Sequence, residues 1–270
     1  MRFASVFQGL PKGDVFMKRT LFFLPLLAIG MTPVAAYADD GEAPASDITV
    51  SGSVGLTSQY RLRGISMSDE DIAVQGGITL THSSGFYVGT WASSLGGFGT
   101  FGGSNMELDA IAGYSTTVGK TTLDGGLVWY FYPGTDGHQY AELYGSVSHP
   151  IGPVKAKVGA YYAPKRKSIG DEDNIYVYGD LALPIKDTPV TLKAHLGYTN
   201  GDSALAGPDG HYLDYSVGAD VAWKNLTLNV SYVDTDMGGA DADAFFTVPG
   251  GKRGRSIVDG AVVASLTATF

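Results

Sequence analysis

Charged side chains recur at two-residue spacing along this chain. Arg61 and Arg63, Glu107 and Asp109, Lys155 and Lys157, and Lys193 and His195 form such pairs, and Asp124, Glu142, Asp180, Asp214 and Asp220 share the polar parity of their own segments. On a helix, positions i and i+2 do not face each other; on a β-strand they lie on one face. Charges of both signs gathered on one face of many strands make a polar wall whose field orients small hydrophilic solutes. The same charges can equally pair with one another, because buried charge is costly unless partnered.

Reactive chemistry is thin by comparison. The five His are scattered without metal-ligand spacing, and Cys is absent. Gly96-Gly97 and Gly102-Gly103 are followed by no helical pattern and make no phosphate cradle. Asp171-Glu172-Asp173 and the series Asp234, Asp236, Asp241, Asp243 read as solvated acidic loops rather than as a cation site. A lipase or acyltransferase on a barrel wall needs Ser or His with an acid partner near the lipid rim. His82 is the only His of apolar parity, and no acid stands near it in sequence. No catalytic residue, cofactor or metal is expected, and the chain is read as a non-enzyme. A formal charge of −9 argues against nucleic acid as a partner.

The elements that must carry these charges are strands. With 38 Gly, 16 Tyr and 12 Phe in 270 residues, the chain lacks helix-favouring blocks. Period-two alternation runs through twelve segments: Ile48–Leu62, Ile72–His82, Phe86–Ser94, Met106–Thr116, Thr121–Tyr132, Gln139–Ser148, Val154–Tyr162, Ile175–Leu183, Val190–Tyr198, Leu213–Trp223, Leu226–Val233 and Val262–Phe270. Long and short connections alternate between them. Short ones fall at Ser83–Gly85, Thr117–Lys120, His149–Pro153, Pro184–Pro189 and Lys224-Asn225. Long ones fall at Gly64–Asp71, Leu95–Asn105, Pro133–His138, Lys165–Asp173, Thr199–His211 and Asp234–Ile257. A Greek-key sandwich has no reason for that rhythm, whereas an up-and-down transmembrane barrel has short periplasmic turns and long outer loops.

The expected fold is therefore an all-β, antiparallel up-and-down transmembrane β-barrel of about 12 strands over residues 47–270. Aromatic residues of apolar parity bracket its lipid band. Tyr60, Phe131, Tyr162, Tyr198, Tyr215 and Tyr232 fall near long-loop ends, and Phe86, Tyr114, Trp223 and the terminal Phe270 near short-turn ends. Strand direction puts Arg61, Arg63, Glu107, Asp109, Glu142 and Asp214 toward the outer mouth. Asp124, Lys155, Lys157, Asp180 and Asp220 fall toward the periplasm, with Lys193 and His195 between.

The N-terminus carries an address. Lys18-Arg19, the apolar run from Leu21 to Met31 and Ala36-Tyr37-Ala38 make a signal peptide over 1–38, with Met17 an alternative start. Residues 39–46 follow as a periplasmic linker. Cleavage removes four basic residues and Asp14, taking the charge from −9 to −12.

Thr57-Ser58-Gln59-Tyr60-Arg61-Leu62-Arg63-Gly64-Ile65-Ser66, Gln75-Gly76-Gly77 and Gly85-Phe86-Tyr87-Val88-Gly89-Thr90-Trp91-Ala92-Ser93 carry a resemblance, continued by Tyr130-Phe131-Tyr132-Pro133-Gly134 and Glu142-Leu143-Tyr144. With these blocks the chain resembles the TorF-like porin family of proteobacterial outer-membrane proteins. Met67 in the first long loop and Ile72 at its end depart from that pattern. The resemblance implies a Gram-negative outer-membrane porin. Its expected activity is passive diffusion of small hydrophilic solutes through a narrow lumen lined by both charge signs. The alternative is a structural or surface-interaction barrel with an occluded lumen. Expected partners are outer-membrane lipid, lipopolysaccharide at Lys165-Arg166-Lys167 and Lys252-Arg253-Gly254-Arg255, the barrel-assembly machinery at the C-terminal strand, and small polar solutes.

Overall fold

The computed structural model describes residues 46–270. The signal peptide over 1–38 and all but the end of the 39–46 linker lie outside the described residues. Strands run in chain order as β1 Ile48–Thr57, β2 Arg61–Leu62, β3 Ile65–Ser66, β4 Ala73–His82, β5 Phe86–Ser94, β6 Met106–Val118 and β7 Thr121–Phe131. They continue as β8 Tyr140–Ile151, β9 Val154–Arg166, β10 Glu172–Pro184, β11 Val190–Gly201, β12 His211–Trp223, β13 Leu226–Thr235 and β14 Ala261–Thr269. All but β2 and β3 form one closed antiparallel barrel of twelve strands, and β14 returns to pair with β1.

Alternation builds the two surfaces. Outward positions such as Val54, Leu56, Val158, Leu196, Val217 and Leu266 stand exposed around the barrel. Nothing among the described residues covers this apolar band, and lipid is the solvent that suits it. No helix among the described residues is long and apolar enough to cross a membrane. Inward positions hold Ser, Thr, Tyr and the charges.

The connections keep their alternation with one change. The fourth long connection shrinks to residues 167–171, because β9 and β10 run on to Arg166 and back to Glu172. Pairing of backbone groups beyond the lipid band extends those strands at the expense of the loop.

Two loops fold inward and over the mouth. The first strand ends at Thr57 instead of continuing to Leu62. Thr57 Oγ1 donates to the Gln59 carbonyl at 2.8 Å, and the chain then turns into the barrel as the β2–β3 hairpin. Arg63 and Gly64 form its two-residue turn at φ 49° and 83°, the positive values a type I′ turn demands. A Cβ on Gly64 would stand 2.3 Å from Thr235 Cγ2 and 3.2 Å from Asp214 Cβ, so the tip sits directly against β12 and β13. Gly64→Val is expected to unseat the hairpin, with overpacking worth about 1–3 kcal/mol added to the backbone strain. Trypsin would then cut after Arg61 and Arg63 in the folded barrel but not in the parent protein. Equal protection of both proteins would refute this seating.

Over the hairpin lie α1 Gly239–Phe246 and α2 Gly254–Val258, in the connection between β13 and β14. They cross closely at Gly254, where a Cβ would meet the Ala242 carbonyl oxygen at 2.0 Å. Phe246, Ile257 and Val258 are buried in one cluster with Tyr60, Ile65, Met67 and Trp91. The packed core of this molecule is the filled long-loop half of its lumen.

Candidate functional site

The site is built where loop meets wall. Glu107 and Asp109 project inward from β6 and Glu142 from β8, and all three are 0% exposed. Tyr60 crosses from the hairpin to donate its hydroxyl to Glu107 Oε1 at 3.0 Å, and packs edge-on against Trp91 with centroids 5.3 Å apart. Arg63 Nη2 donates to both carboxylate oxygens of Glu142, at 2.8 and 2.7 Å, and Tyr130 donates to the same carboxylate at 2.9 Å. The Arg63 guanidinium lies 4.2 Å from the Tyr176 ring centroid and 5.4 Å from that of Tyr161. Burial opposes the Arg63 charge, but the Glu142 carboxylate outweighs it and raises the pKa above the ordinary arginine value. Removing one partner of such a pair costs about 3–5 kcal/mol, since the other charge stays buried.

Asp109 differs from its neighbours. Both of its oxygens are buried without a hydrogen-bond partner. An unpaired buried carboxyl group costs free energy that an equally shaped neutral amide partly avoids. Asp109→Asn is therefore expected to stabilise the barrel by roughly 1–3 kcal/mol, read as a higher unfolding midpoint in detergent. A lowered midpoint would show that the carboxylate has a counter-charge.

Below this dry level the wall is wetter and balanced in sign. His195 sits between two carboxylates, with Nδ1 2.6 Å from Asp180 and Nε2 3.0 Å from Asp214. Tyr176 reaches both His195 Nε2 and Asp214. Lys193 pairs with Asp220 at 3.4 Å, and Lys157 lies directly across the ladder from Asp180. Tyr87 donates to Asp124 at 2.8 Å and shares a hydrogen bond with Tyr144. Asp180 keeps 37% and Lys193 29% of their side-chain exposure, against 0% for Glu142. Lys155 is exposed toward the short-turn end. Contacts thus run from Asp180 through His195, Asp214 and Tyr176 to the Arg63 guanidinium.

Three residues lie away from the strand positions their parity implies. Tyr60 is no girdle residue: it is 2% exposed and belongs to the plug. Arg61 and Arg63 are not strand residues of the wall but part of the hairpin. Arg63 reaches the lumen level, while Arg61 stays near the mouth, donating to the carbonyls of Gly64 and Asp259. Strand parity failed for all three because the chain leaves the wall at Ser58, and alternation carries no information past that point.

The remaining aromatic positions lie on the outer surface. Phe86, Trp223, Phe270 and Tyr114 are exposed at the short-turn end, and Tyr162, Tyr198, Tyr215 and Tyr232 at the long-loop end. Tyr162 donates to Asp173, and Tyr215 and Tyr232 both donate to Asp234. Phe131 is partly covered, stacked on Trp129 at 5.5 Å.

The basic loop runs have partners within the chain. Lys165 pairs with Glu172 and Arg255 with Asp243. Lys252 holds the two inward loops together through Asp69, Glu70 and Asp71. No group of three His, Cys, Asp or Glu among the described residues could hold a metal ion.

Comparison with known proteins places this architecture. No curated protein is found to match the sequence. Among solved structures the chain is similar to the NanC porin, with TM-score 0.53 and 9% identity over 82% of this chain and 99% of that one. An outer membrane channel from Pseudomonas putida F1 gives TM-score 0.42 and 13% identity over 87% and 98%. LpxR from Salmonella typhimurium gives 0.39 and 9% over 82% and 99%. At such identities the likeness to the porin is one of fold alone, that of an outer-membrane barrel. Residues 41–270 match the Gcw_chp family, described as bacterial proteins of unknown function, and the chain belongs to it.

Proposed function

We propose that this protein is an outer-membrane channel of a Gram-negative bacterium for small hydrophilic solutes, and that the plugged barrel is its closed state. One observation carries the reading. The wall behind the plug is not apolar, as a permanently filled core would favour, but carries buried carboxylates, one of them unpartnered. The closing material is loop, not wall. A barrel of twelve strands is wider than the ~8-strand barrels whose own side chains fill them, so the occupant of the space decides whether solute passes. The resemblance to TorF-like porins agrees with this reading.

In this reading residues 1–38 direct export, the short turns face the periplasm, and the long loops face outward beside lipopolysaccharide. The lumen does the work without catalysis, cofactor or metal. A second reading, a surface-interaction barrel with a permanent plug, draws on the dense burial of Tyr60, Ile65, Met67 and Phe246. Planar-bilayer recording separates the two. A channel gives discrete opening steps as the plug exchanges. A barrel that passes no current at any salt or voltage, with or without its hairpin, would leave only the second reading.

A further inference from the structure

The hairpin delivers one guanidinium, that of Arg63, to a receptor made entirely by the wall. Glu142 of β8 takes two hydrogen bonds from it, Tyr130 of β7 fixes that carboxylate, and the Tyr176 ring of β10 lies under its face. A carboxylate in the plane and an aromatic ring on the face are the two contacts that recognise a planar cation. Tyr176 also donates to Asp214 at 3.2 Å, and Glu107 and Asp109 are further buried carboxylates of the same wall. When the hairpin withdraws, Arg63 leaves with it and the wall groups remain.

We propose that this wall site binds organic cations bearing a guanidinium group and selects them for passage, and that Arg63 is a tethered occupant that closes it. Transport through the site rests on the channel reading above; binding does not. A point-like ammonium satisfies Glu142 less well, because it has no face to stack on Tyr176. A divalent metal lacks the ligand set among the described residues.

The test uses Arg63→Ala and the parent barrel in detergent, both verified as folded by heat-modifiable migration. Isothermal titration is run with methylguanidinium, methylammonium and acetate. Arg63→Ala is expected to bind methylguanidinium saturably and about tenfold or more tighter than methylammonium. The parent binds more weakly by a similar factor, because Arg63 competes. Adding Glu142→Gln, or Tyr176→Leu where that variant does not fold, abolishes the binding. Liposome swelling with Arg63→Ala then shows arginine entering faster than glutamate. Absence of methylguanidinium binding, or equal binding of acetate, overturns the site. Solute entry with no preference for arginine overturns it while leaving a channel. Saturable guanidinium binding without solute entry or current keeps the site and removes the channel.

Discussion

Replacing residues 59–71 with an Asn-Gly turn is expected to convert a nearly silent barrel into an open one, with single-channel conductance higher on the order of tenfold or more, as an aqueous lumen replaces a side-chain-filled one. The wall tolerates the change for a local reason. Thr57 and Ala73 are register partners, so Ser58 and Ile72 can flank a two-residue hairpin turn. Retaining Ser58 keeps its two contacts to β14, its N–H to the Ala264 carbonyl at 2.8 Å and the Ala264 N–H to its Oγ at 3.0 Å. What disappears is Tyr60, Arg63, Ile65 and Met67. Each buried apolar side chain among them contributes roughly 1.5–3 kcal/mol to the plug. The cap formed by α1 and α2 loses its seat as well, because Lys252 holds to Asp69, Glu70 and Asp71 and Ser256 to Glu70. Glu107 and Glu142 are then left facing water and cations, so the open form should also prefer cations in a salt gradient. A correctly folded variant with parental conductance would mean that the lumen is closed by the wall itself.

The wall was legible in the sequence and the plug was not, and the difference is physical. A half-buried strand prints its surroundings every second residue, and Val262, Ala264 and Leu266 point one way as Ser265 and Thr267 point the other. That signal also put Glu107, Asp109 and Glu142 inside. It is silent on how dry the inside is, because loops from elsewhere in the chain set that. Beyond Ser58, Tyr60 and Leu62 keep the apolar parity only by coincidence, since they pack on lumen partners instead of lipid. A local cue was available: Leu62-Arg63-Gly64-Ile65 is an apolar-flanked X-Gly pair, the pattern of a two-residue turn. In the last loop, Ala242 and Phe246 are four residues apart and both buried, the spacing of one helix face. What no local pattern carries is the meeting of Arg63 with Glu142, 79 residues away in the chain. That contact exists only once the barrel has closed around the hairpin.

Phe270 lies at the seam that closes the barrel. β14 meets β1 over a short register, Ser265–Thr269 against Ser53–Thr57, whereas β1 meets β4 along its whole length from Ile48 to Thr57. Phe270 extends the short side by one more pair, with its N–H on the Gly52 carbonyl at 3.0 Å and its carbonyl taking the Gly52 N–H at 2.8 Å. Its ring lies over Gly52 so closely that a Cβ there would stand 2.6 Å from Cζ. Deleting Phe270 removes two backbone hydrogen bonds worth about 0.5–1.5 kcal/mol each and an aromatic contact at the membrane edge. The seam then opens where unpaired backbone groups meet lipid, the environment in which they cost most. Membrane levels of the truncated protein are expected to fall by about tenfold, which corresponds to only 1.4 kcal/mol at the closing step. Conductance per inserted barrel should be unchanged, because the Arg63 and Glu142 pair lies at the opposite end. Gly52→Leu should reproduce the loss with Phe270 still present, since its side chain must displace the ring. If Gly52→Leu assembles normally while the deletion does not, the contact of the Phe270 ring with Gly52 is not the clasp of the seam.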